Sequence, residues 1–154
     1  MDERTPTEMS RPAPTNTLEQ GIGFFAVVFT DIVRSTDHRA QLGDATADAH
    51  HAEVDVLTRR AVESGRGVVV KSLGDGLMAV FRVPTDAVRA SVEVQRQLTR
   101  RNRHSSVAVT LRVGIAVGEI DVVDGDVHGY PVNEAARLCA AADPSGVLVS
   151  ELTA

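Results

Sequence analysis

The feature that most constrains the fold is a continuous apolar run, Phe24 to Phe29, that ends abruptly at Thr30 and Asp31. A run this short and this uniformly apolar predicts a β-strand buried on both faces, because a half-exposed strand would alternate with polar residues. Such a strand needs neighbouring strands at its edges and covering layers above and below it. The rest of the chain must therefore supply a sheet and helices around this segment.

The remaining segments alternate between helical and extended patterns. In chain order they are a strand, a helix, a hairpin, a helix, a strand pair, a helix and a strand, over these ranges: 24–29; 37–63 with an interruption at Gly43; 68–71 and 77–81; a helix opening at Pro84; 107–117 and 119–123 about Gly118; 132–142; and 146–150. The Asp75-Gly76 pair indicates the hairpin turn. This order predicts an α+β sandwich, with helices packed on a mostly antiparallel sheet.

Composition limits the domain organisation and the partners. Residues 1–20 hold three of the six prolines and few aliphatic side chains, so they are predicted to be a flexible tail before one domain over 21–154. No stretch approaches the ~18 apolar residues of a membrane span, and the single Cys139 cannot form an internal disulfide. A net charge of −5, with five Phe and Tyr residues and no Trp, argues against a nucleic-acid partner. We expect a soluble, cytoplasmic protein without membrane contact.

Asp31 and Asp75 each lie where an apolar strand gives way to a turn. A sheet could bring both carboxylates to one edge, where a backbone carbonyl and substrate phosphates would complete a Mg²⁺ site. The alternatives are that Asp31 caps the following segment and that Asp75 belongs only to its hairpin turn. Their spacing leaves both interpretations open.

Two further positions offer groups suited to a nucleotide. Asn133 and Arg137 are four residues apart on the third helix and so point the same way, offering an amide and a guanidinium to a sugar oxygen and a phosphoryl group. The alternative is an exposed polar face with Arg137 near Glu134. Lys71 is the only lysine among 16 basic residues, which suggests a need for a compact ammonium, although an ordinary lysine of an edge strand would also fit.

The other titratable side chains receive no role. Four histidines are predicted to be solvated, namely His38, His50, His51 and His104. His128 lies in the loop before the third helix and is assigned no function. Cys139 is expected to be a small packed residue, because it lies among alanines in the middle of that helix.

Four segments together resemble the catalytic domain of class III nucleotidyl cyclases. They are FTDIVRST at 29–36, VKSLGDGLMAVF at 70–81, LRVGIAVGE at 111–119 and DVHGYPVNEAARL at 126–138. The resemblance covers about residues 22–152, with the motifs in the family's order. It implies a ferredoxin-like, palm-type βαββαβ sandwich and the activity of a bacterial adenylate cyclase.

The match also implies roles for individual residues. These are metal ligands for two Mg²⁺ or Mn²⁺ ions (Asp31, the carbonyl of Ile32, and Asp75), a phosphate loop (Val33, Arg34, Ser35 and Thr36), a base-selecting pair (Lys71 and Asp126), and the residues that orient the ribose and stabilise the transition state (Asn133 and Arg137). Adenine has an acceptor at N1 and a donor at N6, which an ammonium and a carboxylate satisfy. Guanine has the opposite groups, so the implied substrate is ATP.

The family shares its sites between two protomers packed head to tail, so the resemblance implies a homodimer. The chain departs from the family at two places. Arg34 stands where many relatives have glycine, and Ala154 ends the chain where the family continues with another strand pair that carries a basic residue near the triphosphate. The domain is therefore expected to be short at its C-terminus.

The alternative function is a catalytically weak, cyclase-like regulatory module that binds nucleotide. A domain joining two GTP molecules is disfavoured because its signature turn is missing.

Overall fold

The computed structural model describes residues 18–151, so most of the predicted tail and the last three residues lie outside the described part of the chain. Within it the elements follow in this order: β1 (Gly21–Ile32), α1 (Ser35–Leu42), α2 (Asp44–Ser64), β2 (Val68–Ser72), β3 (Leu77–Phe81), α3 (Pro84–Arg103), β4 (Leu111–Val123), β5 (Asp126–His128), α4 (Tyr130–Ala141) and β6 (Val147–Val149). The predicted α+β sandwich is confirmed, and so is the break at Gly43 between the first two helices.

The strands form a single sheet with β1 near its centre. Neighbouring strands follow the order β2-β3-β1-β4-β5 in antiparallel pairs, while β6 pairs with β4 in parallel. Residues 25–28 of β1 are buried, as the apolar run predicts. Phe24 differs, with 62% of its surface exposed. It lies in the first part of β1, which pairs with β4 but extends beyond the register of β3.

Strand β4 corrects the prediction of two strands about Gly118. It runs unbroken from Leu111 to Val123, and Gly118 pairs with Phe25 in the middle of the sheet. A Cβ at Gly118 would lie 2.7 Å from Cγ of Pro131, so this glycine makes room for α4 and does not form a turn.

The turn that follows β4 lies at Asp124 and Gly125. Their φ angles are 51° and 79°, and Val123 pairs with Asp126 directly across them. Two positive φ angles in a two-residue loop are typical of the hairpin turn that an Asp-Gly pair favours. The same sequence signal that located the first hairpin was therefore present here too.

Helices cover both faces of the sheet. Side chains of α2 and α3 pack on one face against Ala26 and Val28, and side chains of α4 pack on the other against Val27 and Met78. Helix α4 lies very close to β4 at Gly114. A Cβ at this position would lie 2.3 Å from the backbone of α4, so only glycine allows the contact. The close packing of this face leaves the opposite side of α4 to carry exposed polar residues.

Candidate active site

Asp31 and Asp75 are brought to the same edge of the sheet by a close contact between backbones. The amide of Ile32 donates to the carbonyl of Asp75 at 3.0 Å, and the amide of Leu77 donates to Oγ1 of Thr30 at 3.1 Å. A Cβ at the next residue after Asp75, Gly76, would lie 1.7 Å from the carbonyl oxygen of Thr30. Only glycine allows this approach, so the convergence of the two aspartates depends on it.

The carboxylate of Asp31 is paired with an arginine from the neighbouring strand. Nη2 of Arg112 lies 2.6 Å from Oδ2 of Asp31, and Nη1 donates to the carbonyl of Ala140 at 3.1 Å. Arg112 and Asp31 are directly opposite in the register of β1 and β4. Sequence reasoning did not select Arg112, because the partner of a strand residue is known only once the register is known.

The carboxylate of Asp75 faces two cationic or titratable groups at longer distances. Nη2 of Arg39 and Nδ1 of His51 each lie 3.8 Å from Oδ1 of Asp75. Nε2 of His51 in turn lies 3.2 Å from Nδ1 of His38. Burial lowers the pKa of His51, against the opposing attraction of Asp75. Burial therefore favours the uncharged form of this ring.

This finding corrects the prediction that His51 is solvated, since only 8% of its surface is exposed. His50 is also partnered, because its Nδ1 contacts the guanidinium of Arg101. His104 is exposed, as predicted. The signal for His51 was present in the sequence: buried residues recur along one face of α2 at Ala47, His51, Val54, Thr58 and Ala61.

The predicted phosphate loop lies between β1 and α1. The amide of Val33 donates to the carbonyl of Thr110 at 2.8 Å, so Val33 anchors the loop. Arg34 has φ 56° and ψ 38°, a left-handed conformation that glycine adopts without strain. Ser35 begins α1 and Thr36 follows in its first turn, where backbone amides point along the helix axis and suit an anion.

Lys71 and Asp126 form an ion pair with 3.1 Å between Nζ and Oδ2. They belong to β2 and β5, which stand at opposite ends of the hydrogen-bonded strand order. The two side chains thus meet across the sheet and remain accessible to solvent, with 46% of Lys71 and 38% of Asp126 exposed. The Val127 amide and then Lys71 lower the pKa of Asp126, since both stabilise the carboxylate.

Asn133 and Arg137 are exposed on α4. Among residues 18–151, neither side chain makes a hydrogen bond or an ion pair. Other residues of α4 lie near Asp31: Ala136 and Ala140 line a cavity of about 200 Å³ together with Asp31. The structure therefore brings the two predicted aspartates to one sheet edge, and it separately brings Lys71 into contact with Asp126. Asn133 and Arg137 face outward.

A family model of the adenylate and guanylate cyclase catalytic domain matches residues 19–154. This chain belongs to that family. The cyclase fold, with its palm-type sandwich, agrees with the resemblance that the four motifs carry. Among residues 18–151, no helix of this cyclase domain has both the length and the apolar composition that crossing a membrane requires.

Named relatives and solved structures agree with the family. The putative adenylate cyclase 3 of Rhizobium meliloti (strain 1021) is 40% identical over 88 residues, 56% of this chain and 15% of that protein. The adenylate cyclase of Glutamicibacter nicotianae is 26% identical over 129 residues, 84% of this chain and 31% of that protein. The adenylate/guanylate cyclase/hydrolase of Silicibacter pomeroyi has a TM-score of 0.74 at 27% identity and covers 86% of this chain and 78% of its own. The cyclase domain thus spans less than a third of these two curated relatives.

The donor atoms of this cyclase domain fit hard divalent cations. The two aspartates offer carboxylate oxygens at one edge of the sheet, beside the backbone of Ile32. Within the described residues, no group of three or more His, Cys, Asp or Glu side chains forms a metal site made of protein ligands alone. Mg²⁺ and Mn²⁺ suit such a place, because they prefer oxygen and complete their coordination with water and substrate phosphates.

Proposed function

We propose that this cyclase domain is an adenylate cyclase that converts ATP to 3′,5′-cyclic AMP and pyrophosphate. The observation that carries the choice of ATP is the ion pair between Lys71 and Asp126. Its ammonium can donate to adenine N1 and its carboxylate can accept from the N6 amino group. With guanine, the ammonium would face the N1–H donor and the carboxylate would face the O6 acceptor, which strongly disfavours GTP. Relatives named adenylate cyclase support the same choice.

The reaction is an intramolecular displacement. The ribose 3′ hydroxyl loses its proton to solvent, its oxygen attacks the α-phosphorus, a new O–P bond forms, the bond to the bridging oxygen breaks, and pyrophosphate leaves. Asp31, Asp75 and the carbonyl of Ile32 would hold two divalent ions. When bound, these ions would lower the pKa of the 3′ hydroxyl and neutralise negative charge on the phosphates.

The other residues bind and orient the substrate. The amides of Arg34, Ser35 and Thr36, at the start of α1, bind the terminal phosphates of ATP. Asn133 orients the ribose through its amide. Arg137 donates to the α-phosphate oxygens, where negative charge accumulates in the transition state, an effect worth about 3 kcal/mol at a preorganised site.

The complete site requires a second copy of the chain. Asn133 and Arg137 face solvent on α4, whereas both aspartates lie within one chain at the sheet edge. A head-to-tail homodimer places the outward residues of one protomer over the aspartates of its partner, and closed two-fold symmetry makes two equivalent sites.

The experiment that tests this function measures cyclic AMP, cyclic GMP and pyrophosphate from ATP and GTP with Mg²⁺ or Mn²⁺. The wild type should form cyclic AMP and pyrophosphate in equal amounts. Lys71→Glu combined with Asp126→Cys should weaken ATP use by about 10²-fold and move the preference toward GTP, because the donor and acceptor pattern of the purine site changes.

A matched control carries the same changes in charge on the surface of α3. Arg96→Glu combined with Glu93→Cys should leave the preference for ATP unchanged. ATP preference that survives the double change at Lys71 and Asp126 would contradict their role in base selection. Nucleotide binding without either product would identify the domain as a regulatory module with little catalytic activity.

A further inference from the structure

His51 lies behind Asp75, on the buried face of α2. Its side chain is 9% exposed, and its Nδ1 is buried without a hydrogen-bond partner at ordinary distance. Oδ1 of Asp75 lies 3.8 Å from this Nδ1. A buried ring nitrogen that points at a carboxylate needs an explanation, because leaving such a group unsatisfied costs about 1–3 kcal/mol.

The second ring nitrogen of His51 decides which tautomer is compatible with the site. Nε2 lies 3.2 Å from Nδ1 of His38. If Nε2 carried the proton and donated to His38, Nδ1 of His51 would present a lone pair to the carboxylate of Asp75, which is repulsive. If His38 donates to Nε2, Nδ1 of His51 carries the proton and can donate to Asp75. The arrangement therefore favours a directed chain from His38 through His51 to Asp75.

We propose that His51, oriented by His38, is a positioning residue that holds the carboxylate of Asp75 ready for the divalent cation. The inference rests on the proposed role of Asp75 as a metal ligand. Ligating carboxylates are commonly hydrogen-bonded by a further side chain that fixes their orientation, and losing that partner costs about 10- to 100-fold in metal affinity.

The surroundings of Asp75 allow this contact to shorten. Arg39 also lies 3.8 Å from Asp75, but its guanidinium is already held by Asp48 at 2.6 Å. His51 is the buried neighbour of the two, because its side chain is 9% exposed and that of Arg39 is 37% exposed. A cavity of about 250 Å³ lined by His51, Asp48 and Asp75 leaves room for the carboxylate to rotate toward the ring.

The tautomer is tested directly on the metal-free wild-type protein. Nitrogen-15 NMR of the imidazole rings should show that Nδ1 of His51 carries the proton, with the signal assigned by its loss in His51→Asn. In Asp75→Ala the preference for this tautomer should weaken, because its acceptor is gone. A ring protonated at Nε2 in the wild type would overturn the proposal.

Binding of Mn²⁺ alone, followed by electron paramagnetic resonance, tests the consequence for the metal. His51→Leu removes the donor and should weaken Mn²⁺ binding about 10- to 100-fold. His51→Asn keeps an amide nitrogen close to the position of Nδ1 and should stay within about threefold of the wild type. His104→Leu is the matched control at an exposed histidine and should change nothing.

The outcomes separate this inference from the proposed function. Unchanged Mn²⁺ affinity in His51→Leu, or equal losses in the Leu and Asn variants, would overturn the positioning role. If Asp75→Asn leaves Mn²⁺ binding unchanged, the metal role of Asp75 fails instead, and the tautomer of His51 still decides whether the ring donates to Asp75.

Discussion

The two ends of the candidate site are built in opposite ways. At the carboxylate end, Asp31 is paired with Arg112 at 2.6 Å, and Asp75 lies against His51 and a tight backbone contact. At the other end, Arg137 projects from α4 without a partner in the described chain. The first end is organised by contacts within the chain, and the second exposes unpaired polar groups to solvent.

This difference indicates where each end obtains its order. The carboxylate end is preorganised by contacts that form during folding, so its geometry depends on the stability of the chain. In the proposed function the exposed end stays solvated until nucleotide and a second protomer supply its partners, and so its contribution should appear in catalysis and assembly more than in stability. Changes at the two ends should therefore have different consequences.

The largest expected effect comes from losing either end and restoring both in a mixed dimer. Asp31→Asn alone and Arg137→Ala alone should each lower kcat by ~10²-fold, since each removes about 3 kcal/mol of transition-state stabilisation. Co-refolding equal amounts should recover roughly a quarter of wild-type activity, because half of the dimers are mixed and each has one intact site. Cyclic AMP formation measures the recovery, and a mixture as inactive as its components would contradict the shared site.

A smaller effect, confined to the carboxylate end, comes from the glycine that brings the aspartates together. Gly76→Ala should lower the free energy of unfolding by about 3 kcal/mol, because its Cβ would meet the carbonyl of Thr30 at 1.7 Å. Gly74→Ala is the matched control: it has φ 74° with no atom within 4 Å of its Cβ, so only backbone strain of ~1–2 kcal/mol is expected. Urea unfolding measures both, and equal losses would show that the close contact is not decisive.

The smallest expected effect concerns the pKa of Asp126, in the exposed ion pair with Lys71. Hydrogen bonds from the Val127 amide and from Lys71 hold that pKa below its ordinary value. Because the folded-state pKa is lowered, the ion pair exists at neutral pH and is lost only as the pH falls through that value. Lys71→Ala should raise the pKa part of the way, since the Val127 amide still donates.

A carboxyl-carbon NMR titration measures this pKa in the wild type and in Lys71→Ala. The unfolding free energy should hardly change, because exposed ion pairs contribute little to stability. A pKa that is the same in both proteins would show that the pair does not persist in solution, and a large loss of stability would remove the contrast between the two ends.

Much of the fold was predictable because its signals are local. The apolar run of β1, the Asp75-Gly76 turn and the break at Gly43 each depend on residues close together in the chain. The prediction was wrong at Gly118, where a glycine that looks like a turn serves instead to let α4 pack against β4. A sequence pattern does not distinguish a glycine needed for a positive φ from one needed for close contact.

The candidate site divides in the same way. The identities of the aspartates, the phosphate loop, Lys71 and Asp126 came from motifs whose residues match one by one. No role was predicted for Arg112 or His51, because their relevance depends on register and on which face of α2 is buried. Contacts between distant segments are decided by packing, which leaves only a weak trace in local pattern.

The sequence by itself determined the class of sandwich, the order of its elements and the chemical groups available for a nucleotide. Only the tertiary structure decided that Lys71 and Asp126 meet from opposite ends of the strand order, that Gly76 joins the two aspartates, and that a buried histidine faces Asp75. The physical reason is that strand and helix patterns are encoded by neighbours along the chain, whereas these three contacts join segments that meet only when the core has packed.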